Sequence, residues 1–291
     1  LISEYGRILR AKLEERRGLL VPGAANALSA GIIEDLGFEA VYVSGAGVTN
    51  TFLGLPDLGF IGLPEIAQHT AAIREAVDIP IIVDADTGFG NALNVRHTVR
   101  TLERAGANAI QLEDQTMPKR CGHFDDKSVI SAGEMVGKIK AAVDARAGSD
   151  LLIIARSDAL AVEGFEAAIE RVQRYIEAGA DITLVEAPQT DDEIRSIPQR
   201  LSVPQIVNIV VGGKTPLLDQ QELAKIGYAL VLYANVALQG AIAGMQGALK
   251  QLKANGRVDA ASEMVATFAE RQRLVKKPLF DDLAKKYSEK N

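Results

Sequence analysis

A chain of 291 residues, 47% hydrophobic and 24% charged, has the composition of an ordinary globular protein and ample length for a large core. Its 32 Lys and Arg against 38 Asp and Glu give a net charge of −6 with no basic stripe, which argues against nucleic acid as a partner. One cysteine excludes an internal disulfide framework and fits a reducing compartment, and no apolar run approaches the roughly 18 residues of a membrane span.

Residues 2–17 are rich in Glu and Arg, carry apolar residues at helical spacing and lack the apolar centre of a signal peptide, so a cytoplasmic protein is the expectation. Eight short apolar runs follow, at 19–23, 40–45, 80–86, 109–114, 151–157, 182–187, 205–210 and 229–234. Most are continuous rather than alternating, as parallel strands covered on both faces should be. Amphipathic stretches such as 64–76, 94–105, 132–146 and 165–178 lie between them. This alternation predicts an α/β fold, a (β/α)8 TIM barrel forming one domain over 1–291. The competing open doubly wound sheet needs a glycine-rich turn after its first strand, and none follows 19–23. From about 235 to 291 the chain is mostly helical, with breaks near Asn255-Gly256 and Lys277-Pro278. That is more helix than one barrel requires, and the surplus, 260–290, is predicted to pack on a neighbouring subunit or lie across the barrel.

A glycine spacing points to the functional end. Gly37, Gly106, Gly179 and Gly227 each lie seven residues before Ser44, Glu113, Glu186 and Ala234. If each glycine ends a helix in a left-handed turn, the residue seven places on falls at the C-terminal end of the next strand, where barrel active sites are built.

Three segments carry chemistry. In Asp84-Ala85-Asp86-Thr87-Gly88-Phe89-Gly90, an extended backbone would point Asp84 and Asp86 the same way, and Glu113 at the next strand end can join them. Clustered hard oxygens suit Mg²⁺, or Mn²⁺, with water completing the shell. In Pro118-Lys119-Arg120-Cys121-Gly122-His123, the lone thiol sits beside two cations and a histidine, a setting that lowers a thiol pKa and fits a proton donor or nucleophile. Arg156, after four apolar residues, needs an anion: a substrate carboxylate, or an ion pair with Glu113 or Glu186. Asn208 inside the seventh run could serve the substrate or a core hydrogen bond. Gly212-Gly213-Lys214-Thr215 lacks the glycine of a phosphate loop at 208 and is followed by Pro216, which argues against nucleotide binding. His69 and His97 sit in helical stretches and are predicted to be surface or structural rather than catalytic.

Together with Ser44-Gly45-Ala46-Gly47, the run from Leu53 to Gly59, Leu112-Glu113-Asp114-Gln115 and Gly212-Gly213-Lys214-Thr215-Pro216, these motifs resemble the isocitrate lyase/phosphoenolpyruvate mutase superfamily over about residues 5–285. The resemblance implies a barrel whose last helix is exchanged between subunits, in dimers paired into homotetramers. It implies Mg²⁺ held by Asp84, Asp86 and Glu113, and an oxyacid end of the substrate held by Tyr42, Ser44, Gly45, Ala46 and Asp57. Arg156, His123, Glu186 and Asn208 would serve the rest of a small carboxylic acid, and Cys121 would protonate the leaving carbanion. The implied reaction is carbon–carbon cleavage of a 2-hydroxy or 2-oxo di- or tricarboxylate. The alternatives are a carboxyphosphonate phosphorylmutase, hydrolysis or decarboxylation of oxaloacetate, and a non-catalytic barrel that binds 2-oxo acids. Ala234-Asn235-Val236 replaces a Pro-Leu-Ser type segment of the tricarboxylate-cleaving members, which predicts a preference for a smaller dicarboxylate.

Overall fold

Apolar runs with both faces covered become parallel strands. The computed structural model describes residues 2–120, 122, 127–259 and 262–288. In it β1 (Leu19–Ala24), β2 (Val41–Val43), β3 (Ile81–Asp84), β4 (Ala109–Glu113), β5 (Leu152–Ser157), β6 (Ile182–Val185), β7 (Gln205–Asn208) and β8 (Leu230–Tyr233) close into a parallel barrel in chain order. The closing register sets Leu19 against Leu230 and Pro22 against Tyr233, which excludes the open sheet. All eight predicted strands are present, several of them trimmed at the C-terminal end. The run 40–45 stops at Val43 because Ser44 starts a helical turn, Gly45–Val48, its hydroxyl accepting from the Gly47 N–H at 3.0 Å.

Strand alternation then sorts the side chains. Ile110 and Leu112 of β4, and Ile153 and Ala155 of β5, face the outer helices within the larger apolar core. Ala109, Ile82, Leu152, Ile154, Ile182, Leu184, Ile206, Leu230 and Leu232 fill the barrel interior. The same period of two carries the inward rows up to Asp84, Glu113, Arg156, Glu186 and Asn208. The N-terminal helix Ile2–Glu14 seals the other end, with Leu9 and Leu13 fully buried against those interior residues.

All four spacing glycines adopt φ between 83 and 110°. Gly106 and Gly227 are themselves the helix C-caps, whereas Gly37 and Gly179 stand one residue beyond caps Leu36 and Ala178. The left-handed step is the same in each case, and it lets the chain reverse into the next strand.

After β8 the long helix Val236–Asn255 ends at Gly256, and Phe268–Leu274 and Lys277–Tyr287 follow. The guanidinium of Arg273 grips Asp35 at 2.6 and 2.7 Å, and the Lys276 ammonium donates to the Ala76 carbonyl at 2.8 Å. The surplus helices thus touch the flank of the barrel by polar contacts, and none of the three buries a residue. Among the described residues no helix is long and apolar enough to cross a membrane.

Candidate active site

The strand ends meet as a ring of charge. Asp84 ends β3, but Asp86 is not extended as its spacing suggested. It lies two residues past the strand end with φ 45°, and its N–H bonds back to Asp84 Oδ1 at 3.2 Å. The two carboxylates converge for another reason. A turn closed by Gly88 N–H to the Ala85 carbonyl (2.8 Å) folds the chain back, and the Asp86 carbonyl is held by the Glu113 N–H at 2.9 Å. A Cβ placed on Gly45 would stand 3.2 Å from Asp84 Oδ2 and 3.4 Å from Asp86 Oδ1, so both oxygens line one cradle.

Protein cations also reach this cluster. Lys119, 4% exposed, sets its ammonium 2.9 Å from Asp86 and in contact with Asp57. Arg156 approaches Glu113 at 3.4 Å and Glu186 at 3.7 Å, so its anion is first an ion-pair partner, and its open side faces the mouth. Burial pushes the Asp86 carboxyl up to about 7, Lys119 opposing and Asp84 reinforcing. Burial also raises Glu113 well above the usual carboxylate range, although Arg156 pulls the other way. Burial would strip the proton from Lys119, yet Asp86, Glu113 and Asp57 outweigh it and hold the ammonium charged.

The remaining residues complete the wall. Burial, reinforced by Asp84, raises the Tyr42 phenol, which accepts from Gln111 at 2.8 Å. Ser44 donates to Asn235 Oδ1 at 3.2 Å, and Asn208 donates to Glu186 at 3.1 Å, so the Asn208 amide makes a buried hydrogen bond and also lines the mouth. Ala46, Val210, Leu232 and Ala234 supply apolar wall. Cys121 and His123 lie outside the described residues. His69 is half-buried, edge-on to Phe52 at 5.6 Å, and like His97 it is not part of the mouth.

Several participants were not singled out from sequence. Asp158 grips Arg156 from behind at 2.9 and 3.0 Å, and its spacing of two from Arg156 at a strand end was a usable signal. Lys127 reaches Asp158 at 3.0 Å, but only folding brings it there. Asp114 faces outward from the barrel and accepts from Ser157, Tyr175 and the Asp158 N–H, each at 2.8 Å.

Whether a divalent cation fits can be judged from the donors. Among the described residues no three acidic, histidine or cysteine side chains already form a finished cage. The set is nonetheless suitable. It is all hard oxygen, two carboxylates share a cradle, and Glu113 Oε1 is buried without a hydrogen-bond partner among the described residues.

A parallel barrel with acids and an arginine converging at the C-terminal mouth defines a (β/α)8 enzyme. Comparison with known proteins narrows the class. The phosphoenolpyruvate phosphomutase family model matches residues 9–253. The chain is 46% identical to 2-methylisocitrate lyase of Aeropyrum pernix over 88% of this chain and 82% of that one. It is 42% identical to 2,3-dimethylmalate lyase of Eubacterium barkeri over 90% and 91%. An oxaloacetate acetylhydrolase solved with 3,3-difluorooxalacetate superposes with TM-score 0.92 at 30% identity, covering 99% of each chain. A phosphonopyruvate hydrolase solved with oxalate and Mg²⁺ superposes with TM-score 0.88 at 32% identity, covering 97% of this chain and 99% of that one. The chain belongs to the phosphoenolpyruvate phosphomutase family, within the isocitrate lyase/phosphoenolpyruvate mutase superfamily.

Proposed function

We propose that this enzyme is a Mg²⁺-dependent carbon–carbon lyase that cleaves a 2-hydroxy carboxylic acid to a 2-oxo acid and a second carboxylate, or, with water as co-reactant, a 2-oxo dicarboxylate to two carboxylic acids. The observation that carries the reading is the shared cradle of Asp84 and Asp86 beside Glu113, with Arg156 on the adjoining wall. Asp84, Asp86 and Glu113 would hold the ion, Mn²⁺ serving in its place, and when bound it supplies Lewis-acid polarisation of the 2-oxygen and its carboxylate. Tyr42, Ser44, Gly45, Ala46 and Asp57 surround the oxyacid end. Arg156 offers its guanidinium to a substrate carboxylate, with Glu186 and Asn208 fixing the far side. As the C2–C3 bond breaks, a base takes the 2-hydroxyl proton, C2 becomes the carbonyl carbon of the 2-oxo acid, and Cys121 delivers its proton to the carbanion carbon, with His123 assisting from the same segment.

The far wall sets the size of the acid. Val210, Leu232 and Ala234 put hydrocarbon beside Arg120, Asn208 and Asn235 in the lining, and a carboxylate that falls against the hydrocarbon rather than these donors is costly to bury. The reading is therefore a substituted malate or oxaloacetate-like dicarboxylate in preference to 2-methylisocitrate. The chain is read as one barrel domain, with 235–291 packing between subunits of a cytoplasmic homotetramer built from helix-exchanged dimers.

The test is a panel of 2-methylisocitrate, 2,3-dimethylmalate and oxaloacetate with Mg²⁺, following 2-oxo acid release from the first two and consumption of the third, with kcat/KM for each. The expected result is highest kcat/KM on a dicarboxylate, abolished by EDTA and restored by Mg²⁺ or Mn²⁺. Full activity after thorough chelation would sink the metal assignment, and a clear preference for 2-methylisocitrate would sink the size argument.

A further inference from the structure

Arg156 is steered from behind. Asp158 takes its Nε at 2.9 Å and its Nη2 at 3.0 Å, which leaves Nη1 toward Glu113 and the mouth. A carboxylate gripping a guanidinium in this fork fixes the plane of the arginine. Asp158 is itself fully buried, and its N–H is fixed to Asp114 Oδ1 at 2.8 Å. Its Oδ1 accepts from Arg156 and also from the ammonium of Lys127 at 3.0 Å.

Lys127 comes from a different part of the chain. It lies on the returning limb of the β4–β5 connection, whose base is zipped by Thr116 N–H to the Ser128 carbonyl at 2.9 Å and Ile130 N–H to the Asp114 carbonyl at 2.8 Å. Its side chain is 1% exposed, and its ammonium also donates to the Gly122 carbonyl. Gly122 has no space for a side chain: a Cβ there would collide with the Arg156 guanidinium and the Glu186 carboxylate. One lysine therefore ties the backbone beside these two site residues to the carboxylate that aims Arg156.

We propose that Lys127 is a positioning residue, which fixes the Arg156 guanidinium through Asp158 and the Gly122 backbone through its carbonyl, so that Arg156 meets the substrate anion in one geometry. This rests on the reading of Arg156 as the substrate-anion partner. Burial favours a neutral Asp158, but Arg156 and Lys127 outweigh it and hold the group at about 2, so the bridge stays ionised through neutral pH.

The test compares wild type, Lys127→Met, Lys127→Arg, Asp158→Asn and the Lys127→Met/Asp158→Asn double variant. Two readouts are used: kcat/KM on the best acid of the panel, and the Kd of oxalate with Mg²⁺ by calorimetry. Misplacement of a substrate-positioning group costs about 10²-fold, so Lys127→Met should lose about that in kcat/KM and bind oxalate more weakly. Lys127→Arg should recover most of both. In the double variant the second substitution should add little, because the two residues act as one unit. A Lys127→Met enzyme that matches wild type in both readouts, or losses that add independently in the double variant, would overturn the proposal. Should Lys127→Met not fold, Lys127→Gln, which keeps a donor for Gly122 but no charge, decides it by the same readouts. A wild type that neither cleaves any acid nor binds oxalate would overturn the functional reading itself. A wild type that does either, beside an unaltered Lys127 variant, overturns the positioning role alone.

Discussion

Two helices of this molecule make an instructive pair. Phe165–Glu177, which follows β5, and Val236–Asn255, which follows β8, both carry apolar residues at helical spacing. The first buries Ala168, Ile169, Val172 and Tyr175 against the barrel, and even Arg171, whose guanidinium pairs with Glu163 at 2.6 Å and lies 3.6 Å from Asp114. The second buries nothing: Met245 is 56% exposed and Leu249 62% exposed. The barrel helix Phe165–Glu177 buries its apolar face against the strands, whereas the C-terminal helices present hydrocarbon that this single chain does not cover. Exposed apolar surface of that kind marks a contact face, and the proposed occupant is a second copy of the chain.

If the barrel is self-sufficient, its chemistry can be removed without cost to its fold. Cys121→Ala is expected to lower kcat by about 10²–10⁴ while the far-ultraviolet circular dichroism and Tm stay at wild-type values. Near-wild-type turnover, or an unfolded variant, would make Cys121 structural.

The opposite holds for the helices. Leu249→Asp, placed on the exposed face, should leave the barrel's circular dichroism intact and reduce the assembly, read as a smaller mass by light scattering. A mass equal to wild type would show that this face is not the contact.

A smaller effect sharpens the account of the mouth. A carboxyl raised to about 7 in the fold, against an ordinary value near 3.8, favours the protonated form. Its contribution to stability is full below the unfolded value and is lost as pH rises through about 7. Metal binding requires the carboxylate, so below that pH each ion displaces a proton, and apparent Mg²⁺ affinity should fall about tenfold per unit. The Mg²⁺-induced rise in Tm should therefore be larger at pH 8 than at pH 6. An equal rise at both would remove Asp86 from the ion's ligands.

Much of this was legible from residue order, because strands and helix ends are set by local rules. Parallel strands must be apolar on both faces, so continuous runs such as 109–114 marked them. The turn before each strand needs a left-handed residue, so Gly106 and Gly227 located Glu113 and Ala234 in advance. Asp86 was placed at the site for an inexact reason. Its carboxylate arrives through a positive-φ turn rather than strand alternation, and an aspartate in that conformation leaves little trace in sequence. Lys119 was quoted for its proximity to Cys121, while its ion pairs with Asp57 and Asp86 join residues up to 62 positions apart.

The sequence by itself determined the barrel, the end of it that carries chemistry, and the acids and arginine on its rim. Each follows from a period of two, a glycine or a short motif, which are interactions between residues near in the chain. Only the tertiary structure decided how those charges pair. It brought Lys119 to Asp86, Asp158 to the back of Arg156, Lys127 to Asp158, and Asp114 outward to Tyr175. Charges buried together select partners by distance and desolvation, and those are set by where separate strand ends and loops come to rest in space.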